Sequence, residues 1–256
     1  MVAWLGHAPL VLVAAAVFLA LYVAAALLVG VLALAHRGGW VESLGPLSPG
    51  LLAPLGLIFG LLVGFLVADV WSDRAAAESA ITEEASALRD VDLLMGAFRE
   101  GRPRVQELLR EQIDDYVATE WPQMADGRAT IAAAPRRLVE VQSIALSLPV
   151  GTEGQRLAQD RLVTAVDRAL EARRTRLVLS GSAIDPLRLT ALYLVAVTTL
   201  AAAACVQADR VRRAAVALGL LATAMALALT LLCAQAAPFA GHYGIRPDHL
   251  TEVRPS

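Results

Sequence analysis

Four long apolar runs, two on each side of a polar centre, limit what this chain can become. They cover residues 9–35, 51–70, 187–206 and 214–239. A helix needs roughly 20 apolar residues to cross about 30 Å of hydrocarbon at about 1.5 Å rise per residue. Each run meets that length with almost no charge, and a water-soluble core would not hide all four. The expected fold class is all-α, a four-pass membrane protein with a helical domain outside the bilayer. The expected segments are 1–71 for the first membrane pair, 72–185 for the helical domain, 186–239 for the second pair and 240–256 for a tail.

Composition agrees with that layout. The apolar fraction of 57% and the mean hydropathy of +0.58 exceed those of ordinary soluble domains, where apolar residues are about half. The formal charge of −2 supplies no basic face for nucleic acid. Every basic side chain is arginine, without a single lysine, a bias that fits GC-rich bacterial coding. Cys205 and Cys233 lie inside apolar runs as small hydrophobes, which excludes a disulfide scaffold or a zinc ribbon. The N-terminal residues lack the basic region of a secretory signal, so the first run is expected to remain as an anchor.

The connection 36–50 is rich in Gly, Pro and Ser and reads as a loop. The second run has no such break. Trp71, suited to the interface, leads directly into 75–98, so one helix is expected to leave the membrane and continue as a stalk. Gly101-Arg102-Pro103 marks a turn into a helix bearing Val105, Leu108, Leu109, Ile113, Val117 and Trp121. Pro122 and Asp126-Gly127 are expected to end it. A shorter helix starts at Pro135, and Thr152 is a fitting N-cap for a further one carrying Leu157, Leu162, Val166, Leu170 and Leu177. Pro186 opens the third membrane helix. Arg210, Arg212 and Arg213 in the short loop 207–213 favour short loops on the cytoplasmic side; Arg173, Arg174, Arg176 and Arg188, on the opposite side, pull the other way.

Two patterns on the second membrane helix bear on function. Gly56, Gly60 and Gly64 recur every four residues, with Ala68 extending the row, and form a groove that admits another helix backbone, either within the subunit or between subunits. Beside it, Leu55, Ile58, Leu62, Phe65 and Asp69 share one face. Around a symmetry axis, Ile58, Leu62 and Phe65 would form a hydrophobic constriction with Asp69 as an acidic ring at its mouth. In a lone subunit the same stripe is ordinary membrane surface, with Asp69 in headgroup water. The acid pairs Glu83-Glu84 and Asp114-Asp115 read as solvated or salt-bridged charge, and His242 and His249 are poor metal ligands in a Gly/Pro-containing tail. The chain carries no phosphate loop, nucleophile elbow or dinucleotide fingerprint. No buried ionisable residue in the first, third or fourth run suggests proton-coupled transport. An enzyme and an ion-coupled pump are both disfavoured, and no metal or cofactor is expected.

Several pieces together resemble the bestrophin-like family of bacterial four-pass proteins. They are the run from Gly56 through Phe65 followed by Val70-Trp71, then Glu84-Ala85-Ser86-Ala87-Leu88, Tyr116 with Glu120-Trp121-Pro122, and Pro238-Phe239-Ala240-Gly241 with Ile245 and Pro247. The resemblance spans 51–247. Departures occur at Leu47-Ser48-Pro49-Gly50, where similar sequences are more polar, and at Ala236-Ala237, where they often carry charge. The resemblance implies kinship with bestrophins, pentameric ion channels whose pore is lined by the second helix, and a cytoplasmic helical domain, against the short-loop count. The expected function is a homo-oligomeric bestrophin-like ion channel in a bacterial cell membrane. Its expected partners are the lipid bilayer, further copies of itself and inorganic ions. The alternative is a non-conducting, membrane-anchored sensor or scaffold whose helical domain binds a partner.

Overall fold

The computed structural model describes residues 10–37, 48, 50, 52–132, 134–181, 186–208, 210–235, 238–239 and 244–255. Among them the regular elements are helical, without a strand. In order they are α1 (Leu10–Arg37), α2 (Leu52–Leu94), α3 (Arg102–Asp115), α4 (Trp121–Ala125), α5 (Arg136–Ser147), α6 (Glu153–Ser180), α7 (Pro186–Val206), α8 (Val211–Gln235) and α9 (Asp248–Glu252). Four helices are long and apolar enough to cross a membrane, within Val11–Arg37, Leu52–Ala97, Leu187–Val206 and Val211–Gln235. The second apolar run continues without interruption as expected: α2 has 43 residues, roughly 65 Å at the usual rise. Its apolar part ends near Trp71, and the polar remainder is too long and too charged for hydrocarbon.

The chain divides into two compact units, Met1–Trp71 with Ala183–Ala236, and Ser72–Ser182 with Ala237–Ser256. In the first, α1 presents Val13, Val17, Leu21 and Ala25 every fourth residue, so they form one stripe. That stripe packs with Ala214, Leu218, Ala222, Met225 and Leu229 of α8 and with Leu192, Ala196 and Leu200 of α7. Alanine dominates because lipid removes the hydrophobic drive and leaves close backbone packing to hold helices together. The Tyr22 hydroxyl and Thr223 Oγ1 share a hydrogen bond of 2.8 Å across α1 and α8, and His36 Nε2 bonds the Ala208 carbonyl near the end of the same pair.

The second unit is an amphipathic assembly whose stripes meet in water. Ala77, Ile81, Leu88 and Val91 of α2, and Met95 just beyond its end, pack with Leu109 and Ile113 of α3, Leu138 and Val141 of α5, and Leu162 and Val166 of α6. Each fully buried aliphatic side chain of this kind contributes about 1.5–3 kcal/mol. Leu250 of α9 is also fully buried here, with Ile245 and Val253 against the same core.

Local signals account for most boundaries. Gly101 takes φ +82°, a left-handed conformation natural to glycine, and Pro103 follows in the first turn of α3. The Thr152 hydroxyl accepts from the Gln155 amide at 3.2 Å, the expected cap of α6. Pro122 does not end its helix. Residues Tyr116–Glu120 form one π turn, and α4 then begins with Pro122 in its first turn. A proline there interrupts little, because first-turn amides bond no carbonyl of their own helix. Gly127, at φ +65°, follows Asp126 and closes the segment.

Candidate functional site

The apolar part of α2 has two unlike faces. Phe59 and Leu66 are buried in the first unit's own core, with Leu52, Leu62 and Val63 partly buried against it. Phe65 is 67% exposed and Ile58 46%, with Leu57 and Leu61 beside them. The predicted stripe is therefore split: Leu55 and Leu62 lie half-buried at its edge, while Ile58, Phe65 and Asp69 face outward. Ile58 and Phe65 are two turns apart, about 10 Å along the helix.

The glycine row lies on the outward side. A Cβ added at Gly56, Gly60 or Gly64 meets nothing within 4 Å. Of the two partners left open by the sequence, a helix of the same subunit is not the one that fills this groove among the described residues. Each glycine gives up about 1 kcal/mol of helix propensity relative to alanine, a cost that close approach of a second backbone offsets.

Asp69 is the outermost predicted residue of the stripe. Its Oδ2 accepts from Nη1 of Arg188 in the first turn of α7 at 2.9 Å. Both side chains remain more than half exposed, so screening leaves the pair only a small share of stability. Its effect is local neutralisation: the position is a salt-bridged dipole in place of a bare acid. Two residues further on, Trp71 donates its indole N–H to Gln235 Oε1 of α8.

The second unit encloses a buried charge cluster of Glu84, Glu120, Arg173 and Arg176. Glu84 is salt-bridged, one of the two states expected of it, but it is fully buried, which corrects its expected place on an exposed face. Arg176 Nε donates to Glu84 Oε2 at 2.7 Å, and its Nη2 donates to Glu84 Oε1 at 3.3 Å and to Glu120 Oε1 at 2.6 Å. Arg173 Nε and Nη2 both donate to Glu120 Oε2, at 2.9 and 2.6 Å. The Arg176 guanidinium also lies 5.0 Å from the Tyr116 ring centre and 5.2 Å from that of Trp121, within cation–π range. Trp121 donates its indole N–H to the Ile245 carbonyl at 3.0 Å and meets Phe239 edge-on.

Burial works against the charge on Arg176, but Glu84 and Glu120 outweigh it and hold its pKa above the ordinary guanidinium value. Burial likewise raises Glu84, with Arg176 pulling the other way, and keeps the Tyr116 phenol neutral well above its usual range. The π turn carries both Tyr116 and Glu120, which are four residues apart on one face and both buried.

A signal for this cluster existed in the sequence. Glu84 continues the apolar stripe Ala77, Ile81, Leu88, Val91 at spacings of four and three, and Arg173 and Arg176 continue Leu162, Val166, Ala169 in the same way. Asp114 is exposed and Asp115 half-buried, and they are salt-bridged to Arg254 and Arg137 as expected. His249 is exposed with Glu252 3.9 Å away; His242, Ala236 and Ala237 lie outside the described residues.

The chain has close likeness in fold to known structures. Over 93% of its length it matches 94% of a bacterial bestrophin homolog from Klebsiella pneumoniae, at a TM-score of 0.69 and 12% identity. Another mutant form of that homolog matches over 94% of this chain and 97% of its own, at a TM-score of 0.68 and 12% identity. A crystal structure described as a membrane protein matches at a TM-score of 0.66 and 12% identity, over 93% of this chain and 94% of its own. No curated protein matches the sequence. The bestrophin-like domain matches residues 13–250, nearly the whole length, and the chain belongs to the bestrophin-like family.

Proposed function

We propose that this protein is a homo-oligomeric ion channel in which copies of α2 surround a common axis. Ile58 and Phe65, with Leu62 at their edge, form the hydrophobic constriction, and the Asp69–Arg188 pair lies at its mouth. The observation that carries the reading is the outward face of α2: an apolar strip beside a glycine row that the rest of the described subunit leaves open. Lipid would cover the strip but gains nothing from the glycines, whereas a neighbouring copy uses both. Membership of a family related to channels, with the fold of bacterial bestrophin homologs, supports the same conclusion.

A hydrophobic constriction passes ions only when wetted, so its width and polarity govern flux. The test is potassium and chloride flux through proteoliposomes holding wild type, Phe65→Ala and Asp69→Asn. Flux that rises with the first substitution and changes selectivity with the second supports the pore. Silence from all three correctly inserted proteins would return the chain to an anchored scaffold.

A further inference from the structure

Among the described residues of the first unit, the fully charged side chains divide sharply by position. Asp69 and Arg188 pair with each other near one end. The others, Arg37, Arg210, Arg212 and Arg213, are all arginine and stand at the opposite end, where α1 stops and α8 begins. The bond from His36 to the Ala208 carbonyl ties these two places together: Arg37 follows His36, and Arg210 stands two positions after Ala208. All four arginines are exposed, and no acid lies at this end among the described residues. By sequence, Glu42 and Asp209 of the adjoining connections leave an excess of two positive charges here, four less two.

The apolar surface below them is arranged to match. On α8, Arg212 heads a face that continues with Val216, Leu220 and Leu227, each more than half exposed. On α1, Leu27, Val31 and Leu34 are likewise more than 60% exposed and lead at helical spacing to Arg37. Each strip is thus apolar along its length and cationic at one end, the pattern of a phospholipid with the charge reversed. Arg212 and Arg213 also sit in the first turn of α8, which holds no acid. The helix dipole already makes that turn positive, so these arginines are unfavourable there unless an outside anion offsets them.

We propose that this end of the first unit binds anionic phospholipids of the surrounding leaflet. The lipid phosphates pair with the arginines, whose planar forks suit phosphate oxygens, and the acyl chains lie along the two exposed strips. A free anion would leave the strips unused, and a zwitterionic lipid would bring its own cation to a surface already in excess of them. The proposal rests on the membrane-spanning helices and not on conduction.

The experiment is native mass spectrometry and thermal melting of the full-length protein in non-ionic detergent. The probes are phosphatidylglycerol and phosphatidylcholine with identical chains, and inorganic phosphate. Wild type should retain phosphatidylglycerol about tenfold or more over phosphatidylcholine, since each basic side chain near an anionic headgroup is worth about fivefold. The preference should fade toward equality at about 1 M salt, where screening is nearly complete. Arg212→Gln with Arg213→Gln should lower it about fivefold or more, and adding Arg37→Gln and Arg210→Gln should abolish it. The melt without lipid should stay unchanged, because all four side chains are exposed. Equal retention of the two lipids by wild type, or an undiminished preference in the fourfold variant, would overturn the proposal. A preference that ignores salt would overturn it without recourse to any variant. Inorganic phosphate that raises the melting temperature as phosphatidylglycerol does would also overturn it, reducing the surface to a site for a free anion.

Discussion

Arg188 Nη1 lies 2.9 Å from Asp69 Oδ2, joining the first turn of α7 to the end of the apolar stretch of α2. The two residues are 119 positions apart, yet together they decide the charge at one end of the proposed pore-lining face. An unpaired acid there would favour cations; an acid already matched by arginine presents a balance that either substitution tips.

Opposite substitutions should therefore shift selectivity in opposite directions. Asp69→Asn leaves Arg188 unmatched and should move the reversal potential toward anions. Arg188→Gln leaves Asp69 unmatched and should move it toward cations. The shift should shrink at high ionic strength, since both side chains are exposed and screened. Bilayer recordings under a salt gradient measure it, and shifts of the same sign would refute the assignment.

Phe65→Ala should raise flux severalfold by widening the constriction, with little effect on folding. The ring is 67% exposed in the subunit, so its removal opens no cavity in that subunit's core. Flux through proteoliposomes, with melting temperature as the control, checks both halves of the expectation.

Gly60→Leu should separate assembly from folding. Nothing within 4 Å in the same chain opposes a Cβ at this position, and leucine is the better helix former by about 0.8 kcal/mol. The subunit should fold as well as wild type while the oligomer dissociates, because the side chain fills the groove meant for a neighbouring backbone. Native mass spectrometry of wild type and variant would show an intact wild-type oligomer lost in the variant.

Arg176→Met should destabilise the protein by about 3–5 kcal/mol, the usual cost of removing one partner from a buried ion pair. It strands Glu84, which has no exposure to water. The double substitution Arg176→Met with Glu84→Met should recover much of that loss, while Glu120 keeps its bonds to Arg173. Denaturant titration of the three proteins measures the difference, and a double variant no more stable than the single one would count against pairing as the cause.

Length and apolarity were enough to read the membrane helices, because a segment that must satisfy its backbone inside hydrocarbon has few alternatives to a helix. The 43-residue α2 was likewise legible, since no proline or glycine breaks the passage from Val70 into the polar stretch. Thr152 announced its cap through chemistry contained within four residues. Burial of charge was another matter. Glu84 meets Arg176 across 92 positions, and a carboxylate enters a core only where the fold delivers its partner. Its place in an apolar stripe hinted at this, but the stripe does not name the partner. The glycine row showed that some backbone can approach; only the tertiary structure showed that the described part of the chain leaves that groove empty. Sequence alone determined the helices and their order, because these follow from local backbone and solvent physics. The tertiary structure decided which charges are buried and which face of α2 stays open, because both depend on residues that only folding brings together.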